Sequence, residues 1–261
     1  MGSLLVAMIL AVDIGNTDLS FGIVDDFQIK ARWALHSDPN RSEREYADVV
    51  EAMVVHAQAG SVTQAVIGSV VPELTSRIAG AVGTVVAAEP LIVRAEDVPG
   101  IVLHVDNPPS VGVDRVANAV GARAEFGVPV IIADIGSVTT FDVVDSAGNL
   151  RGVVIAPGVR ALADSLTAAG AQLPKIGVGR PRGLVGRNTI DAMRSGVYWG
   201  YVDLVRGVIS RLKAEPGGPW KILGTGGLAA SITHDVGMFH GVDPDITLKG
   251  LVRIHHAMAQ P

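Results

Sequence analysis

The 261 residues contain no cysteine. That excludes a disulfide scaffold, a thiolate nucleophile, iron–sulfur clusters and every cysteine-based zinc site, and it fits a chain that needs no oxidising compartment. Any catalysis therefore rests on oxygen and nitrogen groups. Basic runs are also missing: 21 Lys and Arg stand against 26 Asp and Glu, a formal charge of −5, so nothing tracks a nucleic-acid backbone. No apolar stretch reaches the 18 or so residues of a membrane span. The apolar start Met1–Val12 lacks the basic flank of a signal peptide and runs straight into Asp13-Ile-Gly-Asn-Thr17, so it reads as a buried strand. Gly2 has Val6 where the myristoylation pattern needs Ser or Thr. These absences leave a cytoplasmic chain with no membrane or nucleic-acid partner. Phosphate-loop ATPases of the Walker type are excluded because no Gly-Lys dipeptide occurs, and the seven histidines show no HExxH or other zinc spacing.

What is present is a globular composition, 48% hydrophobic and 18% charged, over a length that suits one large domain or two smaller ones. Strands and helices alternate. Strands are expected near Met8–Val12, Phe21–Val24, Gln28–Leu35, Val66–Ser69 and Leu91–Val93, and helices near Glu43–Ala59, Glu73–Val82 and Val113–Phe126. The apolar run Val128–Ala133 then restarts the pattern. Shifted by 121 positions, Ile9-Leu-Ala-Val-Asp-Ile-Gly-Asn-Thr17 falls on Val130-Ile-Ile-Ala-Asp-Ile-Gly-Ser-Val138, with Asp13 on Asp134. Each copy is followed by a β-rich segment able to fold back as a hairpin, Phe21–Val24 and Phe141–Val144. The expectation is an α/β protein of two duplicated half-domains, residues 1–126 and 127–261, with a cleft between them. The longest helical signal, Asn188–Ala214, carries an apolar stripe from Ile190 to Val208 wide enough to face a second subunit as well as its own core.

A strand ending in Asp-x-Gly plus small polar residues suits phosphate: glycine admits close approach, amides and hydroxyls donate, and the carboxylate holds a metal directly or through water. Gly136, Ser137, Thr139 and Thr140 make the second copy dense in such donors. Gly224-Thr-Gly-Gly-Leu-Ala229 matches the loose dinucleotide fingerprint, but it follows the duplicated units instead of opening them, and reads as a turn where a nucleoside packs on backbone. In Asn107-Pro-Pro-Ser-Val-Gly-Val-Asp-Arg-Val-Ala-Asn118 a loop enters a helix with Asp114 and Arg115 at the junction. Such a pair reads as a cap or surface ion pair, or else as a base for a hydroxyl beside a grip for an acid group. Arg180, Arg182 and Arg187 lie in a Gly-rich loop that reads as solvated, Asn188-Thr189 as a helix cap, and His255-His256 as a surface pair.

Together, Asp13-Ile-Gly-Asn-Thr17, Ser69-Val-Val-Pro72, Asn107-Pro108, Gly112-Val-Asp-Arg115, Asp134-Ile-Gly-Ser-Val-Thr-Thr-Phe-Asp142, Ala156-Pro-Gly158, Asn188-Thr189, Thr225-Gly-Gly-Leu-Ala229 and Leu248-Lys-Gly-Leu251 resemble, in order and spacing, type III pantothenate kinase. That family belongs to the acetate and sugar kinase/Hsp70/actin superfamily, so the resemblance implies two actin-like (ribonuclease H-like) halves. It implies ATP-dependent phosphorylation of the 4′-hydroxyl of pantothenate, opening coenzyme A biosynthesis, with Asp114 as general base. By the same carry-over, Val105, Gly112, Val113, Asp114, Arg115 and Thr189 contact pantothenate. ATP is met by Asp13, Ile14, Gly15, Asn16, Thr17, Asp18, Leu19, Ser20, Ser137 and Gly226. Asp13 helps hold Mg²⁺, and Asp134 binds a monovalent cation, K⁺ or NH₄⁺. The family is a homodimer in which Thr189 completes the neighbouring subunit's pantothenate site. Three positions depart from the pattern: Val105 replaces a frequent tyrosine, Asp18-Leu19 an Asn-Thr, and Ser137-Val138 a Thr-Ala. Two other readings compete, a superfamily kinase for another small acid or sugar and a nucleotide-binding regulatory paralogue without turnover.

Overall fold

The computed structural model describes residues 8–57, 62–170 and 173–259, which divide into two compact units. The first comprises Met1–Glu125 with Asp245–Pro261, the second Phe126–Pro244.

In the first unit β1 (Met8–Ile14), β2 (Asp18–Asp25) and β3 (Gln28–His36) form an antiparallel meander. The chain continues through α1 (Glu43–His56), β4 (Val62–Ser69), α2 (Pro72–Val86), β5 (Leu91–Ile92) and α3 (Val113–Phe126). The sheet order is β3-β2-β1-β4-β5, with β4 parallel to β1. As the central strand, β1 is buried on both faces from Ile9 to Val12, whereas the edge strand β3 alternates exposed and half-buried residues along its length. Ser42 and Glu45 close a capping box at the start of α1, the Glu45 N–H donating to Ser42 Oγ at 3.3 Å and the Ser42 N–H to Glu45 Oε2 at 2.7 Å. That carboxyl also accepts the Ser42 hydroxyl at 2.6 Å, and this bond first, with the one from the Ser42 N–H, holds it below its usual range. The helix ends at His56, and Gln58-Ala59 of the expected helix lie outside the described residues, as does the expected strand's run-in at residues 1–7.

The second unit repeats the plan with β6 (Val130–Ile135), β7 (Val138–Val144), β8 (Leu150–Pro157), α4 (Val159–Ala169), α5 (Thr189–Ala214), β9 (Lys221–Thr225), α6 (Ala229–Val236) and β10 (Gly241–Val242). Its order, β10-β9-β6-β7-β8, is that of the first sheet element for element. β6 stands for β1 and β9 for β4. The duplication expected from the sequence is present, with two similar α/β halves. One face of this sheet, through Ile131, Ala133 and Ile135, shares a core with Tyr201 and Val205 of α5 and Ile232 of α6.

The last helix, α7 (Ile246–Ala259), departs from the expected division at 126/127, because it packs in the first unit. Side-chain alternation sends Leu10, Val12 and Ile14 of β1 toward α1 and α2, and Ile9 and Ala11 toward α3 and α7. α7 lies close on that second face because the residues beneath it are small: a Cβ on Gly22 would stand 2.9 Å from Leu248 Cδ1, and one on Gly68 2.8 Å from Leu251 Cδ2. α3 and α7 meet as tightly. A Cβ on Gly250 would lie 1.9 Å from the Ala117 carbonyl oxygen, and one on Gly121 2.5 Å from that of Ile246. Gly250→Val should therefore force the two helices apart and destabilise the protein by about 1–3 kcal/mol, read as a lower midpoint in urea unfolding; an unchanged midpoint contradicts the packing.

Candidate active site

In the first unit the site begins at the carboxyl end of β1, where ligands bind in open α/β sheets. Asp13 is half-buried between the buried Val12 and Ile14, and in register with Ser20 on β2 and Gly68 on β4. By alternation it follows Ile9 and Ala11 on the α3 face. Gly15 turns the chain: its N–H donates to the Asp18 carbonyl at 3.1 Å, and a Cβ there would stand 2.9 Å from that oxygen. Ser37 braces the turn from the end of β3, its Oγ donating to the Gly15 carbonyl at 2.7 Å and its N–H to the Thr17 carbonyl at 2.9 Å. Ser37 was invisible in the motif because it lies a full hairpin downstream. Ile14 and Leu19, expected among nucleotide contacts, are fully buried in the core against α1 and α2, so only their backbone is available to a ligand. Asp18 is exposed, and its charge faces His36 across the hairpin, 3.6 Å from Nδ1.

The same end of the sheet receives the start of α3. The Val70 N–H donates to the Ile14 carbonyl at 3.0 Å, and the Val70 side chain packs 3.2 Å from where a Cβ on Gly112 would be. Gly68, beside Asp13, likewise lies against Val113. These contacts put Asp13 and Gly112–Arg115 at one edge. Asp114 is half-buried in the first turn of α3, its Oδ1 accepting the Arg115 N–H at 2.9 Å, where the helix dipole favours a carboxylate. A Cβ on Gly112 would fall 2.3 Å from that oxygen, so glycine there is what leaves room for the carboxylate. Arg115 Nε is shut from water and has no hydrogen-bond partner among the described residues. A charged donor in that state calls for an anionic acceptor. Val113 is buried in the core and Val105 is half-buried in the segment before α3.

The second unit has its own tip. Asp134 is half-buried at the end of β6, in register with Thr140 on β7 and Thr225 on β9. Gly226, at φ +84, is pressed against it: a Cβ there would lie 2.4 Å from Asp134 Oδ1. Gly158, at the N-terminus of α4, is pressed as closely on the turn, where a Cβ would meet the Ser137 carbonyl at 2.3 Å. Ser137 itself is exposed. Beneath the tip, Thr139 Oγ1 and the Tyr201 hydroxyl share a hydrogen bond of 2.6 Å. Burial pushes the Tyr201 phenol up, and the negative charge of Asp134 adds to it while the Thr139 bond opposes it. Thr225 Oγ1 is buried with no hydrogen-bond partner among the described residues.

α5 opens with Asn188 as its cap, Oδ1 accepting the Asp191 N–H at 2.9 Å, and Thr189 is exposed in the first turn. The Arg-rich loop before it is solvated, as expected, and is tied down at Arg180. Arg180 grips Asp235 of α6 through Nε at 2.8 Å and a second nitrogen at 3.2 Å, and the Tyr198 hydroxyl donates to the same carboxylate at 2.6 Å. Burial, with that carboxylate, pushes Tyr198 up to about 12. Arg182 and Arg187 are exposed as expected.

This arrangement is matched by known proteins. The profile of the family "Type III pantothenate kinase" matches residues 9–211. A type III pantothenate kinase of Acidiphilium cryptum is 42% identical over 246 residues, covering 94% of this chain and 92% of its own. That of Paramagnetospirillum magneticum is 37% identical, covering 97% and 99%. The chain belongs to the type III pantothenate kinase family. Solved structures agree on the fold. An activator of 2-hydroxyisocaproyl-CoA dehydratase from Clostridium difficile with bound ADPNP superposes with a TM-score of 0.55 at 12% identity, covering 97% of this chain and 98% of that one. A ROK family glucokinase from Streptomyces griseus, in complex with glucose and AMPPNP, gives 0.53 at 14%, covering 95% and 99%. The fold is therefore the actin-like one of two similar halves.

A kinase of this family uses ATP with a divalent metal, and the donors fit one. Among the described residues no group of three or more His, Cys, Asp or Glu could hold an ion alone. A single carboxylate beside phosphate oxygens and water is how Mg²⁺ is commonly bound, and the half-buried Asp13 at the glycine turn has the chemistry for that position. No helix among the described residues is long and apolar enough to cross a membrane. Since Ser37 is what braces the first turn, Ser37→Ala should raise the KM for ATP about 3- to 10-fold, the equivalent of one hydrogen bond, with little change in the KM for pantothenate; equal effects on both, or none, contradict that role.

Proposed function

We propose that this protein transfers the γ-phosphoryl group of ATP to the 4′-hydroxyl of pantothenate, with Asp114 as the general base, as a cytoplasmic enzyme opening coenzyme A biosynthesis. The observation that carries the reading is the placement of Asp114 at the edge that also holds Asp13. Phosphoryl transfer asks a protein mainly for in-line positioning, neutralised charge and one acceptor for the hydroxyl proton. The hydroxyl oxygen bonds to the γ-phosphorus as the bond to the β-phosphate oxygen breaks; its proton passes to Asp114, and ADP leaves. Gly112 keeps that carboxylate accessible, and the half-buried guanidinium of Arg115 takes the substrate's carboxylate.

In the first unit Asp13 assists Mg²⁺, and the backbone and side chains of Gly15–Thr17 with Asp18 and Ser20 meet the nucleotide phosphates. In the second, Ser137 and Gly226 serve the nucleotide, while Asp134 holds K⁺ or NH₄⁺. The buried, unpartnered Thr225 Oγ1 beside Asp134 supports a cation there. The working form is a homodimer in which Thr189 completes the partner's pantothenate site. The exposed Leu184, Val185 and Ile190 around that residue are apolar surface that a second copy covers.

The deciding variant is Asp114→Asn, which keeps shape and removes the base. It should lower kcat by about 10²- to 10⁴-fold while pantothenate binding, measured by calorimetry, stays within about threefold of wild type. A mutant with near-normal kcat removes Asp114 from the base role.

A further inference from the structure

β4 ends at Ser69, in register with Ile14 on β1, and α2 starts at Pro72, so Val70 and Val71 make the whole turn between them. The turn is held at several points. The Val70 N–H donates to the Ile14 carbonyl at 3.0 Å, the Val71 N–H to Ser69 Oγ at 3.1 Å, and the Thr75 hydroxyl of α2 to the same Oγ at 2.7 Å. Its two valines have different neighbours. Val71 packs on the core beneath α1 and α2, whereas Val70 is half-buried and, among the described residues, belongs to neither apolar core of this unit. A β-branched side chain on a fixed backbone is stiff, and one that is apolar and half-exposed at the carboxyl end of a sheet is surface for a ligand to cover.

The start of α3 sets what stands beside it. The place a Cβ on Gly112 would occupy is 3.2 Å from Val70 Cγ1 and 2.3 Å from Asp114 Oδ1, so that methyl and the carboxylate oxygen are at most about 5.5 Å apart, near enough for one small group to touch both. Gly112 has no side chain to stand between them. In pantothenate the 4′-hydroxyl sits on a CH₂ attached to a quaternary carbon that bears two methyl groups, so each methyl is three bonds from the reacting oxygen.

We propose that Val70 is a specificity-determining residue for the reaction assigned above: with the hydroxyl on Asp114, a methyl group of the substrate packs on the Val70 side chain. The inference rests on that assignment and adds which part of the substrate is read next to the reacting atom. An apolar wall there favours a hydroxyl beside a quaternary hydrocarbon carbon. It disfavours a sugar, whose neighbouring carbon carries an oxygen that would meet Val70 with no hydrogen-bond partner.

The test compares kcat/KM for pantothenate with that for its analogue lacking both methyl groups, in the unaltered full-length protein, in Val70→Ala and in Val71→Ala. The unaltered protein should prefer pantothenate by about tenfold or more, the scale of a small apolar group lost from a fitted pocket. Val70→Ala should cut that preference by about threefold or more, through pantothenate alone, because the analogue has no methyl contact to lose. Val71→Ala, which thins the core, should slow both substrates by the same factor. An unchanged preference in Val70→Ala, a preference shifted as much by Val71→Ala, or an analogue used as well as pantothenate overturns the role of Val70. If Val70→Ala is too unstable to assay, Val70→Thr keeps the shape and exchanges a methyl for a hydroxyl, and a preference retained there overturns it as well. Turnover of neither compound by the unaltered protein overturns the pantothenate assignment itself and this inference with it.

Discussion

The geometry of both candidate tips depends on an aspartate placed at the end of a strand that is buried on both faces. Asp13 and Asp134 follow runs of fully buried residues, Ile9–Val12 and Val130–Ala133. A carboxylate inside such a strand would be uncompensated. One step before the turn it is half-exposed and still fixed by the ladder, so its direction is set by the sheet instead of by a flexible loop. The neighbouring chain then has to make room. Gly226 against Asp134 does so, at a positive φ that glycine adopts without strain.

The two halves solve the same problem with different supports. In the first, the turn is braced by Ser37 and the face carrying Asp13 is covered by α3 and α7, which brings Asp114 to the edge. In the second, the turn is held by the close approach of Gly158 at the start of α4, and a buried Thr139–Tyr201 bond lies beneath it. A shared strand order with unlike helical cover leaves Asp114 beside the tip of one half, while the tip of the other has only small donors and a carboxylate. The proposed kinase reading uses that asymmetry, because charge neutralisation can be repeated while a base is required once.

Most of this was legible in the residues. The repeat around Asp13 and Asp134 announced two equivalent halves, and the period of the apolar positions placed α3 and α5 to within a residue of their ends. Local patterns could not say where α7 belongs: its stripe of Ile246, Leu248, Leu251 and Ile254 needs an apolar face, and the small residues Gly22 and Gly68 that select that face lie some 180 positions or more upstream. The same limit hid the anchoring of Arg180, whose partner Asp235 is 55 residues away. It hid Ser37 for a related reason, since a serine at a strand end carries no signal until the hairpin folds. Ile14 and Leu19 sit within the phosphate motif in sequence, but a strand's alternation turns their side chains into the core and leaves only their backbone for a ligand.

The central claim is that the first unit's tip, with Asp114, serves the phosphorylation of pantothenate, and that Asp134 in the second unit serves a monovalent cation. Its most direct test is ADP release by the purified protein with Mg-ATP, with and without pantothenate, in potassium and then in sodium buffer. The account predicts turnover that requires pantothenate and is faster in potassium. Absence of pantothenate-dependent turnover with any nucleoside triphosphate in either buffer contradicts it.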